Sequence, residues 1–259
     1  MELNMPCSIL AEKLFNVLID IVREHRCHCI ALSGGIDTSA VLLASLKAGI
    51  KPRAYIVIYR NGVPGDLIYA EHLAKIFNIE LNHIFIDYSH ALKIRDDIIK
   101  CIGLEKTNSH GDGGCIEIRN DIVFYSVLAK AKSDGCDCIY LGSGGDEILT
   151  GYNFMLNLIG EELKNAIKKL SRGRFPELEI AKCINIDAVA PLLNEKAVEL
   201  AYKIPLHCLR SDKFQGKEVL REILNEVGLH NIAERIKIPA ESGSGTKSFC
   251  KSIYDELQS

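Results

Sequence analysis

Ser33-Gly34-Gly35-Ile36-Asp37-Thr38-Ser39 follows the apolar run Cys29-Ile30-Ala31-Leu32 and leads into a helical stretch from Ala40 to Ala48. Strand, glycine turn and helix in direct succession read as a phosphate cradle. The two glycines let backbone N–H groups crowd an anion, and the helix aims its positive N-terminal end at the same point. Ser33, Thr38 and Ser39 add hydroxyl donors, whereas Asp37 would repel a phosphate and is better read as a magnesium ligand. The spacing fits neither G-x-x-x-x-G-K-[ST] nor G-x-G-x-x-G. The bland alternative is a plain strand-to-helix turn.

The chain has 259 residues, 47% of them apolar, enough for one large α/β domain or one domain with a helical extension. A net charge of −3 argues against a protein held to nucleic acid by a global positive field. No apolar run approaches the roughly 18 residues of a membrane span, and the N-terminus lacks a signal-peptide layout, so a cytoplasmic protein is expected. Ten cysteines is a high count, yet so long and core-rich a chain needs no disulfide framework, and most are expected reduced and buried. Cys27-His28-Cys29 and Cys136-Asp137-Cys138 each precede an apolar strand, which would bring them together at the sheet end away from the phosphate loop. C-x-C is a weak metal signal, and no C-x-x-C occurs.

An amphipathic helix from Ser8 to Glu24 is followed by strands at Cys29 to Leu32, Ala54 to Tyr59, His83 to Asp87 and Cys138 to Leu141. Helices alternate with them at Thr38 to Ala48, Gly65 to Phe77, Ser89 to Cys101 and Glu117 to Lys132. This order predicts a doubly wound, mainly parallel α/β sheet with its ligand at the carboxyl ends of the strands. Three parts are expected: an N-terminal helix (residues 1–25), an α/β domain that carries the phosphate loop (26–150) and a helical C-terminal region that completes the site (151–259). The polar stretch Thr107 to Gly114, with His110 and Asp112, reads as a lid or an ordinary flexible connection. The basic cluster Lys168, Lys169, Arg172 and Arg174 reads as a solvated helix end, the alternative being a seat for an acidic substrate or RNA.

A second glycine turn, Gly142-Ser143-Gly144-Gly145-Asp146-Glu147, ends the Cys138 strand and falls beside the first. Carboxylates next to a triphosphate repel it unless a divalent ion lies between, so Asp146 and Asp37 make a magnesium pair. The alternative is that Asp146 caps the next helix, with Glu147 in its first turn.

The first loop resembles the PP-loop of the ATP pyrophosphatase superfamily (adenine nucleotide α-hydrolase-like fold). The order of motifs is similar to that of asparagine synthetases and the β-lactam synthetases. S-G-G-x-D-[ST]-S is matched at Ser33 to Ser39, and the strand-end G-G-D-E…G-Y pattern at Gly142 to Tyr152. Pro64 to Leu67, Ile118-Arg119, Pro191 to Asn194, Lys217 to Arg221 and Arg235 to Lys237 follow in family order. The resemblance implies an ATP-dependent, AMP-forming ligase that uses ATP and Mg2+. It implies that Leu32, Ile58 and Gly142 hold the adenosine, and that Ser33, Gly34, Gly35, Asp37, Thr38, Ser39 and Lys217 hold pyrophosphate. Asp37 and Asp146 would take magnesium, Lys237 with Asp37 would act in catalysis, and Ser143 and Glu147 would face the acceptor.

Two departures stand out. Ser143 occupies a position where asparagine synthetases carry an acid. Only about 25 residues precede the first strand, and Cys7 lies inside the chain, so no catalytic N-terminal cysteine of a glutaminase is expected. The expected partners are a small-molecule acceptor, a separate glutaminase or other donor subunit, and a second copy of the chain; membrane and nucleic acid are not expected. Two other readings remain: a PP-loop enzyme of tRNA modification or sulfur transfer, and a non-catalytic nucleotide-binding regulatory subunit.

Overall fold

A computed structural model of the chain describes residues 5–108, 114–211 and 216–249. Helix α1 (Cys7–His25) leads to β1 (Cys29–Ala31), α2 (Ile36–Lys47), β2 (Arg53–Tyr59), α3 (Leu67–Phe77), β3 (Leu81–Ile86) and α4 (Tyr88–Ile102). Then come α5 (Cys115–Ser133), β4 (Cys138–Tyr140), α6 (Gly145–Ile148), α7 (Gly160–Ser171), α8 (Pro176–Cys183) and β5 (Asp187–Val189). The chain continues through α9 (Glu195–Ala201), α10 (Leu206–Leu209), α11 (Glu218–Glu226), α12 (His230–Ala233) and α13 (Ala240–Ser244). The five strands are parallel in the order β3-β2-β1-β4-β5. The expected doubly wound α/β sheet is therefore present, with its switch of winding between β1 and β4, where such folds open a crevice at the carboxyl ends.

Strand β2 explains why both faces are covered. Its residues alternate between two cores: Ala54 and Ile56 pack with α1, α2 and α11, while Tyr55, Val57 and Tyr59 pack with α4, α5 and α8. A parallel strand buried on both faces reads as a near-continuous apolar run, as Arg53–Tyr59 does. Strand β5 was not expected. It is three residues long, begins with exposed Asp187, and pairs its Ala188 with Ile139 at the sheet edge, so the helical region after residue 151 also extends the sheet. Of the polar stretch at Thr107 to Gly114, His110 and Asp112 lie outside the described residues.

The cysteines correct the expectation of reduced thiols. Cys27 bonds Cys138 and Cys29 bonds Cys136, because β1 and β4 are neighbours and the two C-x-C pairs meet where these strands begin. Their Cα separations of 5.2 and 6.4 Å lie in the range a disulfide spans. Cys7–Cys208 ties α1 to α10, Cys101–Cys183 ties α4 to α8, and Cys115 is disulfide-bonded as well. None of these offers a thiolate to a metal. No described helix is long and apolar enough to cross a membrane.

Tyr140 secures the first helix to the centre of the sheet. Its buried hydroxyl accepts from the Cys27 N–H and donates to the Val22 carbonyl, both at 2.9 Å. Tyr140→Phe leaves a buried donor and a buried acceptor unpaired, and is expected to lower unfolding free energy by about 1–3 kcal/mol in denaturant titrations.

Candidate active site

The loop after β1 and the first turn of α2 form the floor of a cavity of about 640 Å³. Gly34 sits at φ +68°, and a Cβ there would lie 2.5 Å from the Tyr69 Cβ, so only glycine lets α3 pack against the loop. Ser33 Oγ accepts from the Gly35 N–H and lies 3.1 Å from Thr38 Oγ1, which fixes the turn from within. Helix α2 has no side-chain cap at Gly35, so its first-turn N–H groups remain available to an anion. Arg235 braces the loop from behind. It donates to the Ser33 carbonyl, forms a buried ion pair with Asp66, and stacks 4.1 Å from the Tyr69 ring centroid.

The strongest charges meet beside this loop. Lys217 Nζ lies 2.5 Å from Asp37 Oδ2 and 2.7 Å from Asp146 Oδ1, while Lys237 Nζ lies 3.1 Å from Asp146 Oδ2 and 4.1 Å from the Tyr152 ring centroid. Burial would lower the Lys217 ammonium, but the two carboxylates outweigh it and hold Lys217 above the ordinary lysine value. Burial pushes Asp37 up to about 6 despite Lys217. Asp146 is half-buried, and Lys217 and Lys237 together outweigh its desolvation and hold it below the usual carboxylate value. Lys217 itself has φ +65° just before α11, with its N–H bonded to the Leu149 carbonyl at 2.9 Å. A non-glycine residue in this conformation is strained and is held by its surroundings. Gly145 is small because a Cβ there would overlap the Asp37 carboxylate.

A second wall comes from α5 and the start of α8. Glu117, Asn120 and Asp121 line the cavity from α5, and Arg174, Phe175 and Glu177 from the α7–α8 connection and α8. Ser143 donates to Glu177, and Tyr152 donates to Glu147. Burial raises the Glu177 and Glu147 carboxyls. Burial and the nearby Glu177 push Asp121 up to about 8.

Of the residues singled out from sequence, Leu32, Ser33, Gly35, Asp37, Thr38, Gly142, Ser143, Asp146, Glu147, Lys217 and Lys237 all line this one cavity. Gly34, Ser39 and Ile58 do not. Gly34 packs on α3 and Ser39 is fully buried in α2, while β2 reaches the cavity with Tyr55, Ile56 and Val57, one residue short of Ile58. All four residues of the basic cluster are exposed, and of them Arg174 lines the cavity. Sequence reading missed Asp121 and Glu177. A usable signal was present: Glu117 and Asp121 are like charges at i and i+4, an arrangement that weakens a helix unless something else requires it.

Two substitutions probe these charges. Lys217→Met leaves Asp37 and Asp146 facing each other without their shared cation, and is expected to lower stability by about 3–5 kcal/mol in chemical denaturation. Asp121 binds its proton more tightly folded than unfolded, so it favours the fold at low pH and loses that contribution as pH rises from about 4 through about 8. Asp121→Asn removes the loss: Tm should exceed wild type by at least about 3 °C at pH 8, with the gap closing toward pH 4.

The chain can now be set beside known proteins. Residues 22–178 match the family model of asparagine synthase. A protein of Methanocaldococcus jannaschii named "Putative asparagine synthetase (glutamine-hydrolyzing) 1" is 26% identical over 268 aligned positions, covering 87% of this chain and 46% of that protein. The chain thus spans about half the length of the curated relative it matches. Among solved structures, the NMN synthetase of Francisella tularensis is similar with a TM-score of 0.49 and 17% identity, covering 98% of this chain and 82% of that one. The NAD+ synthetase of Burkholderia pseudomallei has a TM-score of 0.34 and 14% identity, covering 88% and 91%. With the family model covering more than half of its residues, the chain belongs to the asparagine synthase family.

Proposed function

We propose that the chain is an ATP-dependent ligase that forms AMP and pyrophosphate, adenylating a small-molecule acceptor and passing the activated group to ammonia or another nucleophile. The observation that carries this reading is the pair of lysines, Lys217 and Lys237, set among two acids beside the uncapped N-terminus of α2. Adenosine would lie against Leu32, Val57 and Gly142, and the β- and γ-phosphates against the Ser33–Thr38 turn.

Magnesium suits the donors present: Asp37 and Asp146 supply hard carboxylate oxygens, and Asp37 Oδ1 is buried without a hydrogen-bond partner. Those two residues would hold the ion. Bound there, it would withdraw charge from the departing phosphates. The remaining work falls to side chains. An acceptor oxygen attacks the α-phosphorus, the bond to the β-phosphate breaks, and pyrophosphate departs into the α2 N–H groups. Lys237, a compact charge on a long stem, meets the charge that develops on the α-phosphate. Attack of the nucleophile on the adenylate then releases AMP, with Lys237 serving the same oxygen.

Glutamine is not proposed as a donor to this chain acting alone, because Cys7 is bonded to Cys208 and presents no thiolate. Nitrogen would come from free ammonia or a separate glutaminase subunit. The same pairing weighs against sulfur transfer, since no described cysteine is free. Cytoplasm is the compartment proposed; intracellular proteins so rich in disulfides are met in hyperthermophiles.

Incubation with Mg–ATP and a panel of acceptors should yield AMP and pyrophosphate by chromatography; ADP and orthophosphate would overturn the reading. Lys237→Ala should lower kcat by about 10²–10³-fold with ATP affinity nearly unchanged, whereas Asp37→Ala should lose magnesium-dependent ATP binding in calorimetry.

A further inference from the structure

The α5–α8 wall of the cavity holds more carboxyl groups than its described protein partners pair. Asp121 is 2% exposed and Glu177 5%, and they reach the same wall from different elements. Asp121 Oδ2 is buried with no hydrogen-bond partner. Glu177 accepts from the Ser143 hydroxyl, a neutral donor. The nearest cation, Arg174, directs Nε and Nη2 to Glu179 and Nη1 to the Lys106 carbonyl. Lys217 and Lys237 are held by Asp37 and Asp146. Carboxylates are rarely buried without a paired cation, and among the described residues no ion pair joins either acid to one; Arg174 acts on both only through its field.

We propose that Asp121 and Glu177 form a seat for a cationic nitrogen, so that the acceptor is a small molecule bearing an alkylammonium or guanidinium group. Calling the ligand an acceptor rests on the ligase reading; the cation seat itself does not. A cation there would satisfy Asp121 Oδ2 and offset the repulsion that Glu177 exerts on Asp121, while burial holds both carboxyls above their ordinary values. A neutral ligand leaves the Asp121 oxygen unpaired, and an anionic one is repelled. Val123 and Phe124 line the cavity from the same helix and give an aliphatic stem an apolar surface.

The test is calorimetric titration of the full chain with four probes of one stem length: n-butylamine, n-butylguanidine, n-butanol and butyrate. The two cations should bind at least about tenfold more tightly than butanol, and butyrate should bind least. Asp121→Asn, which keeps the side-chain shape without its charge, should remove the cation preference; Asp121→Glu should retain part of it. Glu177→Gln should weaken the cations about tenfold, read alongside its own thermal transition. Butanol binding as tightly as butylamine, no binding of either cation at millimolar concentration, or a preference that survives Asp121→Asn would each overturn the proposal. The titration needs no ATP, so the two readings fail separately. ADP formation with cation binding intact overturns only the ligase; pyrophosphate release on a neutral acceptor, with no cation binding, overturns only the seat.

Discussion

The ammonium of Lys217 between the carboxylates of Asp37 and Asp146 is the contact on which the rest of the site depends. It joins three parts of the chain: the loop after β1, the loop after β4, and the start of α11, 180 residues from Asp37. Taking three charges from water costs several kcal/mol per ion, and only close mutual pairing offsets it. The geometry is therefore tightly constrained. Glycine at 145 and 151 leaves room for the two carboxylates, Lys217 accepts a left-handed backbone, and its N–H is anchored to Leu149.

This arrangement divides the cavity by charge. Around the α2 N-terminus stand two lysines, unclaimed helix N–H groups and acids whose charge is already matched, a setting that favours a polyanion and a divalent ion. Along α5 and α8 the balance is reversed, and carboxylates outnumber the cations free to meet them. Ser143 contributes to this division. Where asparagine synthetases carry an acid in the loop, this chain has a hydroxyl that donates to Glu177, so the negative charge comes from α8.

Much of this was legible in the sequence, for physical reasons. Strands buried on both faces and helices with apolar stripes leave clear periods, so the elements up to β4 lie within a few residues of expectation, and the two glycine loops fall at one sheet edge because the winding order requires it. What escaped depends on tertiary neighbours. The cysteine pairs bond because β1 adjoins β4, a fact of strand order that local pattern does not carry. Ile58 and Val57 are equally apolar neighbours, and only the packing around the end of β2 decides that the cavity stops at Val57. Strand β5, three residues at an edge with a charged start, has too short a pattern to register. Asp121 and Glu177 lie on a helix face and a helix start where acids are ordinary, and their burial becomes visible only once α5 and α8 are packed together.

The two ends of the cavity rest on different parts of the fold, and this bears on how such a site can vary. The end beside α2, the proposed phosphate seat, is built at the switch point, where Lys217, Asp37 and Asp146 lock one another and little can change without leaving a charge unpaired. The acidic wall is supplied by side chains on α5 and α8, helices whose packing against the sheet uses other residues, such as Ile118, Ile122 and Ile180. A change at Asp121 or Glu177 alters what the wall attracts while leaving that packing in place. On the ligase reading proposed above, recognition of the acceptor is thus separable, in physical terms, from handling of the phosphates, and the carboxyl groups of the wall rather than the fold would set which molecules can be taken up.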